Sequence, residues 1–141
     1  METEPSVLCI EIQRASVEHA KDGTAVQRKS DRLVEFPEYL DFMRSGPYKL
    51  HGFIQHVGDH AERGHYTATV RLRDCTFGLF DDGNPVVPKY AHDFVDHHVQ
   101  RQVCVLQYVR QSFWESAGSI GLAPPPYMIG EKTAKLYAAR P

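Results

Sequence analysis

The chain has 141 residues, a formal net charge of −2 and a hydrophobic fraction of 42%. These values favour a single globular domain with a real core over a disordered chain. The charges are interspersed, so composition gives no electrostatic reason to expect nucleic acid or an anionic membrane as a partner. No stretch is apolar for long enough to cross a bilayer, and no signal-peptide pattern opens the sequence. We therefore expect an intracellular protein of the cytoplasm or nucleus.

The cysteines are odd in number and widely spaced, at Cys9, Cys75 and Cys104, and no CxxC motif occurs. This pattern predicts reduced thiols rather than disulfides or a zinc knuckle. Cys9 and Cys104 lie in apolar stretches, so we expect them to be buried and inert. The eight histidines include no set of three or four with the usual ligand spacing, so no metal and no cofactor is predicted.

The first part of the chain predicts strands separated by loops. Residues 6–13 alternate apolar and other side chains, as in a strand with one apolar face. Residues 14–30 are polar and weakly patterned, which indicates a loop that can include a hairpin tip and a short strand near 25–27. Residues 39–43 predict one helical turn, and residues 48–57 the next strand.

The clearest strand spans residues 65–73, where polar and apolar side chains alternate. We expect its apolar residues, from Tyr66 to Leu72, to face the core. His65 is then expected on a polar, wettable face. A tight turn leads into a return strand over residues 77–81.

The last part of the chain predicts a helix and a central strand. Residues 90–100 fit a short amphipathic helix, and residues 103–109 form a nearly continuous apolar strand. Residues 111–141 indicate a proline-containing flank, with a candidate short helix over 131–140. Five or so strands joined mostly by short turns, with one or two short helices, predict an α+β fold built on an antiparallel sheet.

A histidine opens the clearest strand, and two aspartates follow the return strand. If the turn leaves Leu72 opposite Thr76, Asp81 lies on the face of His65 and diagonal to it, with Cα atoms roughly 7–8 Å apart. A carboxylate there can fix the imidazole tautomer and stabilise the imidazolium. A register slip of one residue would put Asp82 in that place, and the sequence leaves both registers open. The alternative is a solvated strand-end histidine beside an ordinary turn.

Six motifs follow one another along the chain. They are Pro5–Arg14, Val34–Pro37, Tyr48–Gly58, Gly64–Tyr66, Phe80–Asp82 and Val105–Arg110. Their order and spacing resemble the C-terminal half of the catalytic domain of ubiquitin-specific proteases, the papain-like cysteine proteases that remove ubiquitin from proteins. The resemblance implies the palm part of that fold over residues 1–110, followed by the flank at 111–141.

The resemblance also implies roles for single residues. His65 is expected to be the general base of a Cys-His-Asp site, and Asp81 its orienting partner, with Asp82 as an accessory or fallback. Gly64 and Tyr66 are expected at the substrate: Gly64 because the chain can approach the ubiquitin tail closely there, and Tyr66 by packing beneath the histidine. Cleavage would pass through a thiolate, an acyl-enzyme and hydrolysis, and the expected partner is ubiquitin or a ubiquitinated protein.

The departures from the family pattern concern the nucleophile. The family's cysteine lies in an N-terminal box with an asparagine and a Gly-rich turn, and this sequence contains no such box. Ala15 also stands where an aromatic residue usually follows the arginine. We therefore expect a deubiquitinase fragment that is inactive alone. Three explanations stay open: a truncated gene model, a short dead product, or a site completed by a separate chain that supplies the cysteine. A non-catalytic ubiquitin-binding or scaffold module is the main alternative.

Overall fold

The computed structural model describes residues 4–41, 44, 46–73 and 75–113. Strands dominate this described part. They are β1 Val7–Glu11, β2 Ala15–His19, β3 Ala25–Lys29, β4 Tyr39–Leu40, β5 Tyr48–Val57, β6 His65–Arg73, β7 Thr76–Phe80, β8 Val87–Tyr90 and β9 Val103–Arg110. A 3₁₀ helix at Ala91–Val95 and the helix α1 at His97–Gln102 precede β9.

The main sheet is antiparallel and has the order β1-β9-β5-β6-β7-β8, with β4 paired to β5. Strands β2 and β3 form a separate two-stranded ribbon. The predicted α+β class with an antiparallel sheet is confirmed. The central position expected of residues 103–109 is also confirmed, because β9 pairs with β1 on one side and β5 on the other.

The core lies against one face of this sheet. Its fully buried large side chains come from three strands and are Tyr48, Leu50, Phe77, Val103 and Tyr108. Phe94 of the 3₁₀ helix packs edge-on against Phe53 and Phe77, with ring centroids 4.9 and 4.8 Å apart. This aromatic contact holds the helical segment over the sheet.

The helix predicted over residues 90–100 is wrong as a single element. Asp96 has extended backbone angles and ends the 3₁₀ helix. Its side chain then accepts a hydrogen bond of 2.7 Å from the backbone N–H of His98 and caps α1. Aspartate favours such caps over helix interiors, so the segment divides there.

Two further predictions in the first half are corrected. The expected hairpin tip and short strand near 25–27 are part of a complete β2–β3 ribbon, with continuous pairing from Ala15–Lys29 to His19–Ala25, and the strand Ala15–His19 was not predicted. Tyr39 and Leu40 pair with β5 instead of starting a helical turn. Residues 42 and 43 of that turn and residues 114–141, with the candidate helix 131–140, lie outside the described residues.

The expected orientation of β6 is also wrong, since its polar face is the buried one. Thr67, Thr69 and Arg71 are 9%, 2% and 3% exposed, whereas Tyr66 is 62% exposed. Local alternation predicted the reverse, because it assumes that polar side chains seek water. Here the buried polar groups find partners inside the protein.

Arg71 shows how the buried polar face is satisfied. Its Nε donates to the carbonyl of Leu50 at 2.7 Å, and an Nη pairs with Glu38 at 3.0 Å. The guanidinium also lies 4.4 Å from the ring centroid of Phe77. His65 therefore stands at the end of the core-facing side of β6, where that face opens to solvent.

The helices Ala91–Val95 and His97–Gln102 are five and six residues long. Neither approaches the roughly 20 residues that a membrane-spanning helix needs.

Candidate active site

His65 is the first residue of β6 and pairs with Val57, the last residue of β5. Gly58 and Gly64 close the loop between the two strands, and a Cβ on Gly58 would lie 3.3 Å from the Cα of Gly64. Both glycines have positive φ angles, +128° and +148°. The loop therefore returns to the sheet within a narrow neck directly before His65.

The pairing of β6 with β7 has the register that places Asp81 near His65. Ala68 pairs with Phe80 and Arg71 with Phe77, as the diagonal arrangement requires. At the turn the register shifts by one, so Arg73 rather than Leu72 pairs with Thr76. This irregularity is confined to the turn and leaves the histidine end in the predicted register.

The imidazole of His65 and the carboxylate of Asp81 are in contact, as this register implies. Nε2 of His65 donates a short hydrogen bond to Oδ1 of Asp81, and the two side chains are 45% and 38% exposed. This hydrogen bond, together with the negative charges of Asp81 and Asp82, raises the pKa of His65. The imidazolium is thus stabilised at a solvent-accessible edge.

Asp82 approaches the other nitrogen of the same ring. Its Oδ2 lies 3.8 Å from Nδ1 of His65, and its side chain is 78% exposed. The residue has a φ of +47° in a turn closed by a 3.0 Å hydrogen bond from Asn84 N–H to the carbonyl of Asp81. The two aspartates that sequence left as alternatives therefore both contact His65, but only Asp81 hydrogen-bonds to it.

Tyr66 occupies a position different from that expected, and Gly64 is constrained by internal packing. Tyr66 does not pack beneath His65, because adjacent residues of a strand face opposite sides of the sheet. Its ring lies against that of His56 instead, with centroids 4.7 Å apart. A Cβ on Gly64 would approach Nε2 of His56 and the carbonyl oxygen of Val57 to 2.5 Å. Internal packing already requires glycine here, and the roles of both residues toward substrate stay predictions.

Two residues near the site were not expected from sequence. His56 is 6% exposed although it lies beside a polar loop. Lys29 reaches from β3 to the carbonyls of His56 and Gly58 at 2.6 and 2.5 Å. The pair of glycines flanking the loop was the one sequence signal of a tight neck, and nothing local pointed to Lys29.

No cysteine of this chain lies beside His65. Cys75 lies beyond the far end of the nine-residue β6, about 30 Å along the strand. Cys9 belongs to β1, three positions from β6 in the sheet, and is exposed rather than buried as predicted. Cys104 lies in β9 and lines a cavity of about 250 Å³ together with Tyr66, on the side away from His65.

His65, Asp81 and Asp82 are also a group of potential metal ligands within the described residues, with atoms that lie within 4.8 Å of one another. Oδ1 of Asp81 is occupied by its bond to the imidazole. We assign no ion to these residues, and the predicted absence of a metal site stays a prediction. A larger cavity of about 440 Å³ lies further along β6, beside Phe53, Thr69 and Phe94, and none of the three site residues lines it.

Comparison with known proteins identifies the family. The model that describes the ubiquitin carboxyl-terminal hydrolases matches residues 1–108. Ubiquitin carboxyl-terminal hydrolase 21 of Arabidopsis thaliana is 32% identical over 100 residues, which cover 64% of this chain and 13% of that protein.

Solved structures of the SAGA DUB module are similar as well. A chain of the yeast module superposes with a TM-score of 0.57 and 28% identity, covering 74% of this chain and 23% of its own length. A chain of the Ubp8/Sgf11/Sus1/Sgf73 module bound to monoubiquitin gives 0.58 and 28%, with the same coverage. This chain thus spans less than a quarter of the length of each of these three relatives. The sequence resemblance and the palm-like fold are both confirmed, and the chain belongs to the ubiquitin carboxyl-terminal hydrolase family as a ubiquitin-specific protease member.

Proposed function

We propose that this chain provides the general base and its orienting acid to a cysteine-type deubiquitinase. The observation that carries the proposal is the orientation of His65. Its Nε2 hydrogen-bonds to Asp81, which leaves Nδ1 as the nitrogen able to receive a proton. An imidazole whose Nε2 is held by a carboxylate, and whose Nδ1 is approached by Asp82 only to 3.8 Å, is the base half of a nucleophilic site.

The chemistry follows from that arrangement. Nδ1 of His65 takes the proton of a cysteine thiol, and the thiolate attacks the carbonyl carbon of the bond to ubiquitin. The imidazolium then returns the proton to the leaving amine, and a thioester forms. Water, deprotonated by the same nitrogen, cleaves the thioester and restores the thiol. Asp81 holds the tautomer throughout, and Asp82 adds negative charge beside the imidazolium.

The thiol comes from outside these 141 residues in this proposal. Cys9, Cys75 and Cys104 lie on other strands, at another end or on another face of the sheet. A segment bearing the nucleophile, within the same polypeptide or on a separate chain, would complete the site. The small share of its relatives that this chain spans agrees with that division.

Ubiquitin is the proposed substrate and partner. The family match supports this, as does the likeness to a DUB module bound to monoubiquitin. Gly64 and Tyr66 flank His65 in sequence and are proposed to contact the ubiquitin tail, Tyr66 from the opposite face of the sheet. Location in the cytoplasm or nucleus stays a prediction.

The test combines binding with turnover of a ubiquitin–fluorophore conjugate. We expect the chain alone to bind ubiquitin and to release no fluorophore. Addition of a cysteine-bearing segment from a family member should restore release, and His65→Ala should abolish it. Clear turnover by the chain alone that is lost in His65→Ala would show that the thiol is already present.

A non-catalytic ubiquitin-binding module is the second candidate. It is favoured by the distance of all three cysteines from His65, because a binding surface needs no nucleophile. It predicts that ubiquitin binding persists in Asp81→Asn and that no added segment restores turnover.

A further inference from the structure

We propose that Lys29 and His56 are positioning residues that hold the backbone in front of His65. The proposal rests on the proposed role of His65 as general base, and it concerns how that residue reaches Asp81. Neither Lys29 nor His56 touches the imidazole of His65 in this scheme. Both act on the loop neck formed by Gly58 and Gly64.

Lys29 fastens the end of β5 from the outside. Its ammonium donates to two carbonyl oxygens, those of His56 at 2.6 Å and Gly58 at 2.5 Å. Charge-assisted hydrogen bonds of this length are among the stronger ones in proteins. They span the residue at which β5 ends and the loop begins, so the ammonium fixes the point where the chain leaves the sheet.

Lys29 is itself well anchored. It is the last residue of β3 and pairs with Ala15, which follows the buried Arg14. The guanidinium of Arg14 donates to the carbonyls of Val103, Arg32 and Gln100 at 3.0, 2.5 and 2.8 Å. These hydrogen bonds hold the base of the ribbon against β9 and α1. Lys29 therefore reaches the loop neck from a fixed position.

His56 supports the neck from within the sheet. Its ring is buried and packs against Gly64, where a Cβ would approach Nε2 to 2.5 Å and Cε1 to 3.0 Å. Burial, followed by the positive charge of Lys29, lowers the pKa of His56, so the ring is neutral near pH 7. Gly64 directly precedes His65, so the ring supports the incoming side of the loop.

Together the two side chains clamp both arms of the loop. Lys29 holds the outgoing arm at His56 and Gly58, and the His56 ring holds the incoming arm at Gly64. Loss of either contact allows the neck to widen. His65 then shifts along the strand or away from Asp81. A displacement of about 1 Å at a catalytic group can reduce a rate on the order of 100-fold.

The test uses NMR titration of the full chain, because it reports on His65 without requiring activity. Lys29→Met and His56→Gln remove one clamp each. Lys21→Met, in the exposed turn of the same ribbon, and His60→Gln, in the exposed loop, are the matched controls. The ring signals of His65 are assigned by their loss in His65→Gln.

We expect both clamp variants to weaken the Nε2–H signal of the bond to Asp81 and to move the His65 titration toward its ordinary midpoint near 6.5. Both controls should match the wild type. Lys29→Arg should retain part of the wild-type behaviour that Lys29→Met loses. In an enzyme completed with a cysteine-bearing segment, kcat should fall about 10- to 100-fold with little change in KM.

Folded clamp variants with an unchanged His65 titration and an unchanged Asp81 bond would overturn the proposal. If Lys29→Met does not fold, Lys29→Gln replaces it, since an amide still donates to one carbonyl. Failure of the completed enzyme to release ubiquitin would count against the proposed function alone, because the NMR result does not depend on turnover.

Discussion

His65 and Asp81 are sixteen residues apart in sequence, and Nε2 of the one donates to Oδ1 of the other across the open edge of a hairpin. The contact spans the first residue of β6 and the residue that follows β7. It depends on the register of two strands and on the turn at Asp82, so it can be tested separately from any activity.

Asp81→Asn should remove the charge that stabilises the imidazolium and can reverse the donor role at Nε2. We expect the His65 titration measured by NMR to move to lower pH. In a completed enzyme, kcat should drop on the order of 10²–10⁴-fold, the range associated with general acid–base catalysis. Asp82→Asn is the control, because Asp82 approaches the ring only to 3.8 Å. Equal losses in both variants would contradict the assignment of Asp81 as the orienting residue.

The stability of the fold should depend on pH through His65. Its pKa is raised by the hydrogen bond and the charge of Asp81, so the folded state binds the proton more tightly than the unfolded state. The resulting stabilisation is fully present below about pH 6.5, the unfolded value, and is lost as the pH rises through the higher folded value. Urea unfolding of wild type and His65→Gln should therefore differ most at acid pH. The same pH-dependent difference in the loop variant His60→Gln would show that the effect does not come from His65.

Gly64→Ala should destabilise the fold by about 2–3 kcal/mol. The added Cβ would meet His56 Nε2 and the Val57 carbonyl at 2.5 Å, and the φ of +148° disfavours a side chain. Gly83→Ala is a matched control, since a Cβ there has no atom within 4 Å and should change the unfolding free energy by less than about 0.5 kcal/mol. Equal midpoints in chemical denaturation for the two variants would refute the crowding at Gly64.

The cysteines should differ in reactivity. Burial raises the pKa of the Cys104 thiol, which donates to the carbonyl of Ile54 at 3.4 Å, whereas Cys9 and Cys75 are exposed. Mass spectrometry after a brief pulse of iodoacetamide should find Cys9 and Cys75 modified well before Cys104. Preferential labelling of Cys104 would indicate an activated thiol and would reopen the question of a nucleophile within this chain.

The parts of the fold that sequence predicted are those with strong local patterns. Residues 48–57 and 65–73 have the predicted strand bounds, because both are long and rich in strand-forming residues. The ribbon β2–β3 was predicted only in part, as a hairpin tip with a short strand near 25–27, since nearly all of its side chains are exposed and burial leaves no alternation in its sequence. Such strands depend on contacts outside the segment, here the anchoring of Arg14.

For the candidate site, the sequence predicted only those features that depend on residues close together in the chain. The alternation in β6 gave the wrong buried face, because Arg71 finds its partners on Leu50 and Glu38. The register of His65 and Asp81 was one of two alternatives, and the shift at Arg73 could not be predicted from the turn residues. Lys29 contacts His56 over a separation of 27 residues, so only the folded chain brings them together.

The closed neck between Gly58 and Gly64 has a consequence for evolution and engineering. Because the two ends of the loop are fixed by the sheet and by Lys29, residues 59–63 can change in number without moving the strands that they join. Each doubling of such a loop costs only about 0.6 kcal/mol in closure entropy. This loop is therefore the place to graft added sequence beside His65, such as a recognition peptide that selects among ubiquitin conjugates, while the ring and its carboxylate stay in register.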